Sequence, residues 1–242
     1  MRQTRIQKKR ITRVSGTFVG IGLALLLAAI GLSAYNIWDA RNARLSVENV
    51  MQQIEDKIEK ARGTEEPVQT APEGTGEAQE DPGTAVTSAE EIHPVNEVEE
   101  IPLYRLNPQI AMPTMEIDGR QYVGVLEIPT LSLTLPIIGK WSYASLKLAP
   151  CIYSGTAYLK NMVIAGHNYD SHFGGLKNLR YGDSITFTDF DGNVFLYKVR
   201  DIETVKGTDI EGMLDGDWAL SLFTCTLSGQ MRITVRCECV SE

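Results

Sequence analysis

Three residues in this chain have the type and setting for covalent catalysis: His167, Cys225 and Arg232. A cysteine attacks as its thiolate, and with a free pKa of about 8.5 it needs a base or a cation nearby to be active at neutral pH. Histidine transfers protons in that range. Arginine adds a permanent charge and fixed donors for an oxyanion that develops during reaction. Taken singly, each has a plain reading: a packed thiol, a solvated imidazole, a surface charge. Their shared placement argues for more. His167 follows the apolar run Met162-Val-Ile-Ala-Gly166, and Cys225 follows Leu220-Ser-Leu-Phe-Thr224 in the same manner. Arg232 opens the run Arg232-Ile-Thr-Val-Arg236. Two strand ends and one strand start, 58 and then 7 residues apart, can meet at one rim.

The elements that must position them are short β-branched and aromatic runs separated by turn residues: Tyr122–Ile128, Leu131–Ile138, Asn161–Ala165, Ser184–Thr188, Val194–Val199, Ala219–Thr224 and Met231–Val240. Asp191-Gly192 between Ile185-Thr-Phe187 and Val194-Phe-Leu-Tyr197 is the strongest hairpin signal. Helical pieces are few, over Tyr143–Leu148 and Gly174–Leu179. The pattern predicts a mainly β domain, a closed barrel or a sandwich, and spacing alone does not choose between them.

The wording around the three residues is more specific. Ala165-Gly-His-Asn168, followed by Phe173-Gly-Gly-Leu176 and Gly182-Asp183, resembles the His loop of the sortases, cell-surface transpeptidases of Gram-positive bacteria. Leu222-Phe-Thr-Cys-Thr226 resembles their cysteine strand, and Met231-Arg-Ile-Thr-Val-Arg236 their arginine strand, in the family's order. The resemblance covers residues 115–240 and implies an eight-stranded sortase-type β-barrel with short helices. It also implies that His167, Cys225 and Arg232 are the catalytic residues and that no cofactor is used. Asn168 and Thr224 become candidates for substrate contact. Arg236, four residues along the same strand face, is the competing arginine and a further candidate for substrate contact. The Gly-His-Asn…Phe-Gly-x-Leu-Lys-Asn wording is closest to class B sortases. Phe223 departs from the small or polar residue common before Thr-Cys, and the loop before Trp218 is short for that class.

The net charge of −8 is zoned. Residues 1–13 hold six Lys/Arg and no acid; residues 14–63 hold five charges of each sign. Residues 64–100 hold eleven acids and no Lys or Arg, and 101–242 hold fifteen acids against twelve bases. No basic face for nucleic acid is expected. Val14–Trp38 runs 25 residues without a charge, roughly 37 Å as a helix, enough to cross a hydrocarbon core of about 30 Å. A cleaved signal peptide has a shorter apolar core, and Leu32-Ser-Ala34 is a poor cleavage site. Residues 14–38 are therefore expected to be a retained single-pass anchor. Residues 1–13 form a basic tail that stays cytoplasmic, and everything beyond the span lies outside the cell.

Residues 39–63 predict a juxtamembrane helix. Its stripe of Val47, Val50, Met51, Ile54, Ile58 and Ala61 suits a stalk or a partner-facing surface. Residues 64–100, with four prolines and no aromatic, predict a disordered acidic linker holding the catalytic domain, 101–242, away from the membrane.

Four cysteines in 242 residues exclude a disulfide scaffold. Cys237 and Cys239 are expected to be packed, and a bond from Cys151 to one of them stays open. His172 is the decoy beside His167. Asp170, Asp189, Asp191, Asp209 and Glu211 are scattered, so no metal is expected to be required, with a loop calcium site left open. The expected activity is cleavage of a C-terminal sorting signal on secreted proteins through a thioacyl-enzyme on Cys225. The acyl group then passes to an amine of peptidoglycan precursor or a pilin. A thiol hydrolase using water and a silent membrane-tethered binding module are the alternatives.

Overall fold

The computed structural model describes residues 3–63 and 101–241. The acidic segment expected to be disordered, 64–100, lies outside the described residues. The chain begins with α1 (Gln3–Gly63), one helix of 61 residues, uninterrupted because the first proline is Pro67. It includes one stretch long and apolar enough to cross a membrane, with mean hydropathy 2.2 and no burial.

Nine strands follow among the described residues: β1 (Met115–Ile117), β2 (Arg120–Ile128), β3 (Leu133–Ile138), β4 (Cys151–Ser154), β5 (Met162–Ala165), β6 (Ser184–Asp189), β7 (Val194–Lys206), β8 (Leu220–Cys225) and β9 (Met231–Ser241). Short helices α2 (Leu103–Leu106), α3 (Tyr143–Leu146) and α4 (Ile210–Leu214) sit in the connections. The strands pair in the order β2-β3-β4-β5-β8-β9-β7-β6, and β6 returns to β2, with Val125 opposite Thr188. This closure makes an eight-stranded barrel and decides against the sandwich; β1 is a three-residue addition hairpinned onto β2.

Strands β5 and β8 run parallel, Ile164 beside Leu222. Both are buried on both faces, which is why their sequences are continuous apolar runs rather than alternations. The inward side chains of β5, β8 and β9 (Ile164, Leu222, Val235, Cys237) join Leu126, Leu135, Ile137, Phe187, Phe195 and Tyr197 in the barrel core. Their outward side chains, Val163, Ala165 and Phe223, join Val205 and Met213 in a second, external cluster. The Asp191-Gly192 hairpin forms as expected, Gly192 taking φ +83° and Phe187 pairing with Phe195. Strand β7 is 13 residues long, against the shorter run expected. Its polar second half is held by β9, from Asp201 opposite Arg236 to Lys206 opposite Met231.

The stripe on α1 faces its own barrel. Ala43, Val47, Val50 and Ile54 are buried there, Ile54 to 1% exposure, and Lys57 donates to the Glu116 carbonyl. Each buried Val or Ile contributes about 1.5–3 kcal/mol. The helix that leaves the apolar stretch is itself packed on the catalytic domain, because its apolar face has more to gain from the barrel than from water.

Candidate active site

The geometry follows from strand register. Ala165 on β5 lies beside Phe223 on β8, and the Gly166 N–H donates to the Phe223 carbonyl at 3.0 Å. His167 and Cys225 each stand two residues beyond that pair, so they occupy one level at the ends of neighbouring parallel strands. Cys225 is paired directly with Arg232 on β9. Alternation puts Ala165, Phe223 and Cys225 on the external face, together with Arg232, Thr234 and Arg236. The three expected residues are therefore brought to one edge of three adjacent strands, and each is half-buried.

Two glycines explain the wording of the His loop. A Cβ on Gly166 would lie 2.5 Å from the ring of Phe173, which is fully buried in the barrel core. A Cβ on Gly174 would lie 2.7 Å from the Asn168 carbonyl oxygen. The loop closes through Phe173 N–H to the His167 carbonyl at 3.0 Å and Gly174 N–H to the Tyr169 carbonyl at 2.9 Å. Phe173 thus anchors the loop in the core, and the loop carries His167 at its mouth.

The His167 imidazole stacks on Tyr169, centroids 4.7 Å apart and planes 26° apart. Burial lowers its pKa, partly opposed by the Asp39 carboxylate and reinforced by Lys147. The Tyr169 hydroxyl donates to Asp39 on α1, and Lys147 Nζ lies 3.9 Å from the same carboxylate. Lys147 is set by α3, whose Ser142 cap accepts from the Ser145 N–H at 3.0 Å. Sequence reasoning missed Asp39, Tyr169 and Lys147. Asp39 is 130 residues from Tyr169, and no local signal links them.

The other expected positions divide. Asn168 lies half-buried in the His loop beside His167. Thr224 is buried, and strand alternation turns it inward, away from the Cys225 face, with its hydroxyl unpartnered. Arg236 is 2% exposed. Its guanidinium donates to Glu203 at 2.8 Å, to Ser221 at 3.0 Å and to the Met213 carbonyl at 2.8 Å, and it also reaches the Gly212 carbonyl. Arg236 fastens α4 to the sheet because only a buried fork of donors satisfies those carbonyls together. Arg232 remains at the rim, donating to the Gly229 and Met231 carbonyls at 2.9 and 3.1 Å.

His172 is wholly buried and stands 5.6 Å from Tyr169. Neither ring nitrogen completes a hydrogen bond, and burial with the nearby His167 pushes its pKa down to about 4. Phe223 packs edge-on against Tyr153 at 5.3 Å, and Tyr153 meets Trp141 at 5.9 Å. The large residue before Thr-Cys thus floors an apolar external surface leading to Cys225.

All four cysteines are free thiols. Cys151 and Cys237 are buried, and burial pushes both pKa values up to about 12. Among the acids, Asp189 accepts from Tyr158 and from Asn193 Nδ2 at 2.7 and 2.8 Å, stapling the β6–β7 hairpin, and Asp209 caps α4. Among the described residues no three His, Cys, Asp or Glu side chains gather as a metal site.

Residues 126–240 match the family model of the sortase domain. Residues 126–240 are therefore a sortase domain, a cysteine transpeptidase domain, in agreement with the barrel and with the rim that carries Cys225 and His167. Among solved structures the chain is similar to sortase A from Corynebacterium diphtheriae, at 27% identity over 58% of this chain and 67% of that one, TM-score 0.46. It is also similar to sortase C from Streptococcus pneumoniae, at 25% identity over 52% of this chain and 69% of that one, TM-score 0.46. A third is Clostridium perfringens sortase C with the C-terminal cell wall sorting motif, at 25% identity over 50% and 71%, TM-score 0.44. No curated protein matches. These structures are A- and C-type enzymes, and the class B-like subtype rests on the wording of the His loop alone.

Proposed function

We propose that this protein is a membrane-anchored transpeptidase working outside the cell. It would cleave a C-terminal sorting signal on secreted proteins and transfer the acyl group to an amine of peptidoglycan precursor or a pilin. The observation that carries the reading is the common level of His167 just beyond β5, Cys225 at the end of β8 and Arg232 near the start of β9.

The chemistry runs in two halves. Cys225 thiolate adds to the scissile carbonyl, and the resulting oxyanion is met by the Arg232 guanidinium, swung from its resting carbonyls. The C–N bond breaks as the His167 imidazolium gives its proton to the departing amine, leaving a thioacyl-enzyme and a neutral imidazole. The acceptor amine then attacks the thioester carbonyl, His167 takes the amine proton, and the thiolate leaves as the new amide forms. The lowered pKa of His167 suits both halves: it makes the imidazolium a readier acid, and it keeps the imidazole neutral between them. The apolar surface of Phe223, Tyr153 and Trp141 suits the apolar part of a peptide signal.

The test is product analysis with a sorting-signal peptide. Wild type should form a thioacyl adduct on Cys225 and, given an amine, an amide. Cys225→Ala should form neither, and an adduct retained in that variant would overturn the scheme. Free acid in the presence of excess amine would show a hydrolase.

A further inference from the structure

We propose that Asp39, the first residue after the apolar span, is a positioning residue for His167 and acts through Tyr169, so that the docked anchor helix completes the active site. The inference rests on the catalytic reading of His167. Its geometry is a continuous chain: the Asp39 carboxylate accepts from the Tyr169 hydroxyl, and the Tyr169 ring lies flat on the His167 imidazole at 4.7 Å. Lys147, 3.9 Å from the carboxylate, fixes it from the other side. Asp39 itself is fixed because α1 is fixed, by Ala43, Val47, Val50 and Ile54 buried on the barrel. A stacked ring held at both ends limits rotation of the imidazole. A misplacement of about 1 Å at such a group costs on the order of 100-fold in rate.

The groups facing His167 come from several elements. Asp39 belongs to α1 and Lys147 follows α3, while Tyr169 and His172 share the His loop. Cys225 and Arg232 lie at its level on β8 and β9. Of these, Asp39 favours the imidazolium and Lys147 disfavours it. Removing either charge should therefore move the His167 titration in opposite directions, which a merely structural role would not do.

The experiment uses the full chain in lipid nanodiscs, with Asp39→Asn, Asp39→Glu, Tyr169→Phe and Lys147→Gln. Kinetics with a sorting-signal peptide are read beside a histidine NMR titration, tractable because the chain has three histidines. Asp39→Asn should lower kcat/KM by about tenfold through kcat, with KM unchanged, and shift the His167 pKa down. Lys147→Gln should shift it up, and Asp39→Glu should restore part of the rate. Tyr169→Phe should lower kcat comparably, and the double variant with Asp39→Asn should be no worse than either single one. An Asp39→Asn enzyme with wild-type kcat and an unmoved His167 titration would overturn the proposal. Loss of the catalytic reading itself would show instead as a thioacyl adduct surviving in Cys225→Ala.

Discussion

Two arginines four residues apart on one strand face have opposite fates, because one sits at the rim and the other under α4. Replacing Arg236 by Met strands the Gly212 and Met213 carbonyls and the Ser221 hydroxyl, a cost of about 2–4 kcal/mol. Chemical denaturation should show that loss, while kcat per folded molecule stays close to wild type. Arg232→Lys should do the reverse: stability within about 0.5 kcal/mol, with kcat/KM down on the order of 100-fold if the fork meets the oxyanion. His172 makes a pH prediction. Its folded pKa is depressed to about 4 by burial, so folding excludes the proton that the unfolded chain would bind. The stability this gives is present above the unfolded value of about 6.5 and lost as pH falls through 4, roughly 3 kcal/mol in all. Denaturation midpoints between pH 7 and 4 should fall less steeply in His172→Phe than in wild type.

At the scale of elements, β5 and the His loop act as a unit with the barrel core through Phe173. Gly166→Ala puts a methyl within 2.5 Å of that ring, so either the ring or the loop must move. The expected result is loss of kcat with modest loss of stability, checked by kinetics beside thermal unfolding. Helix α1 and the barrel form a second unit. Ile54→Ala should cost about 2–5 kcal/mol and raise hydrogen exchange over residues 43–57 before the strands exchange. Equal protection of that helix segment in the variant would contradict its docking. The stripe on α1 was legible as an apolar face, but its partner was not, since a stripe says only that something must cover it.

For the whole molecule, charge zoning and docking now lead to one arrangement. On the proposed orientation the six basic residues before the apolar stretch would stay inside the cell, and the docked helix would hold the His loop beside the residue that follows that stretch. On that orientation, catalysis would take place near the outer membrane surface. A membrane-impermeant thiol reagent applied to intact cells should label Cys225, located by peptide mapping because Cys239 is also a half-buried free thiol, with the label on that peptide lost in Cys225→Ala. Cys151 and Cys237, buried with pKa values near 12, should stay unlabelled at pH 8 until the protein is unfolded. Labelling only after lysis would reverse the orientation.

The chain's own wording determined the chemistry. Thr-Cys after an apolar run, Gly-His-Asn before Phe-Gly-Gly, and an arginine opening the last strand name the proposed reacting groups, because catalysis of this kind needs those side chains and short strands place them at known offsets. The same local signals located most strands and the Asp191-Gly192 hairpin. Tertiary structure decided what depends on distant pairing. Closure of β6 on β2 chose the barrel, and β9 extended β7 beyond its own pattern. Burial under α4 gave Arg236 a set of partners that Arg232 lacks, and strand alternation turned Thr224 inward. The contact of Asp39 with Tyr169 joins residues 130 apart, and such a contact leaves no mark in sequence until the chain has folded, because neither residue has a local reason to be where it is.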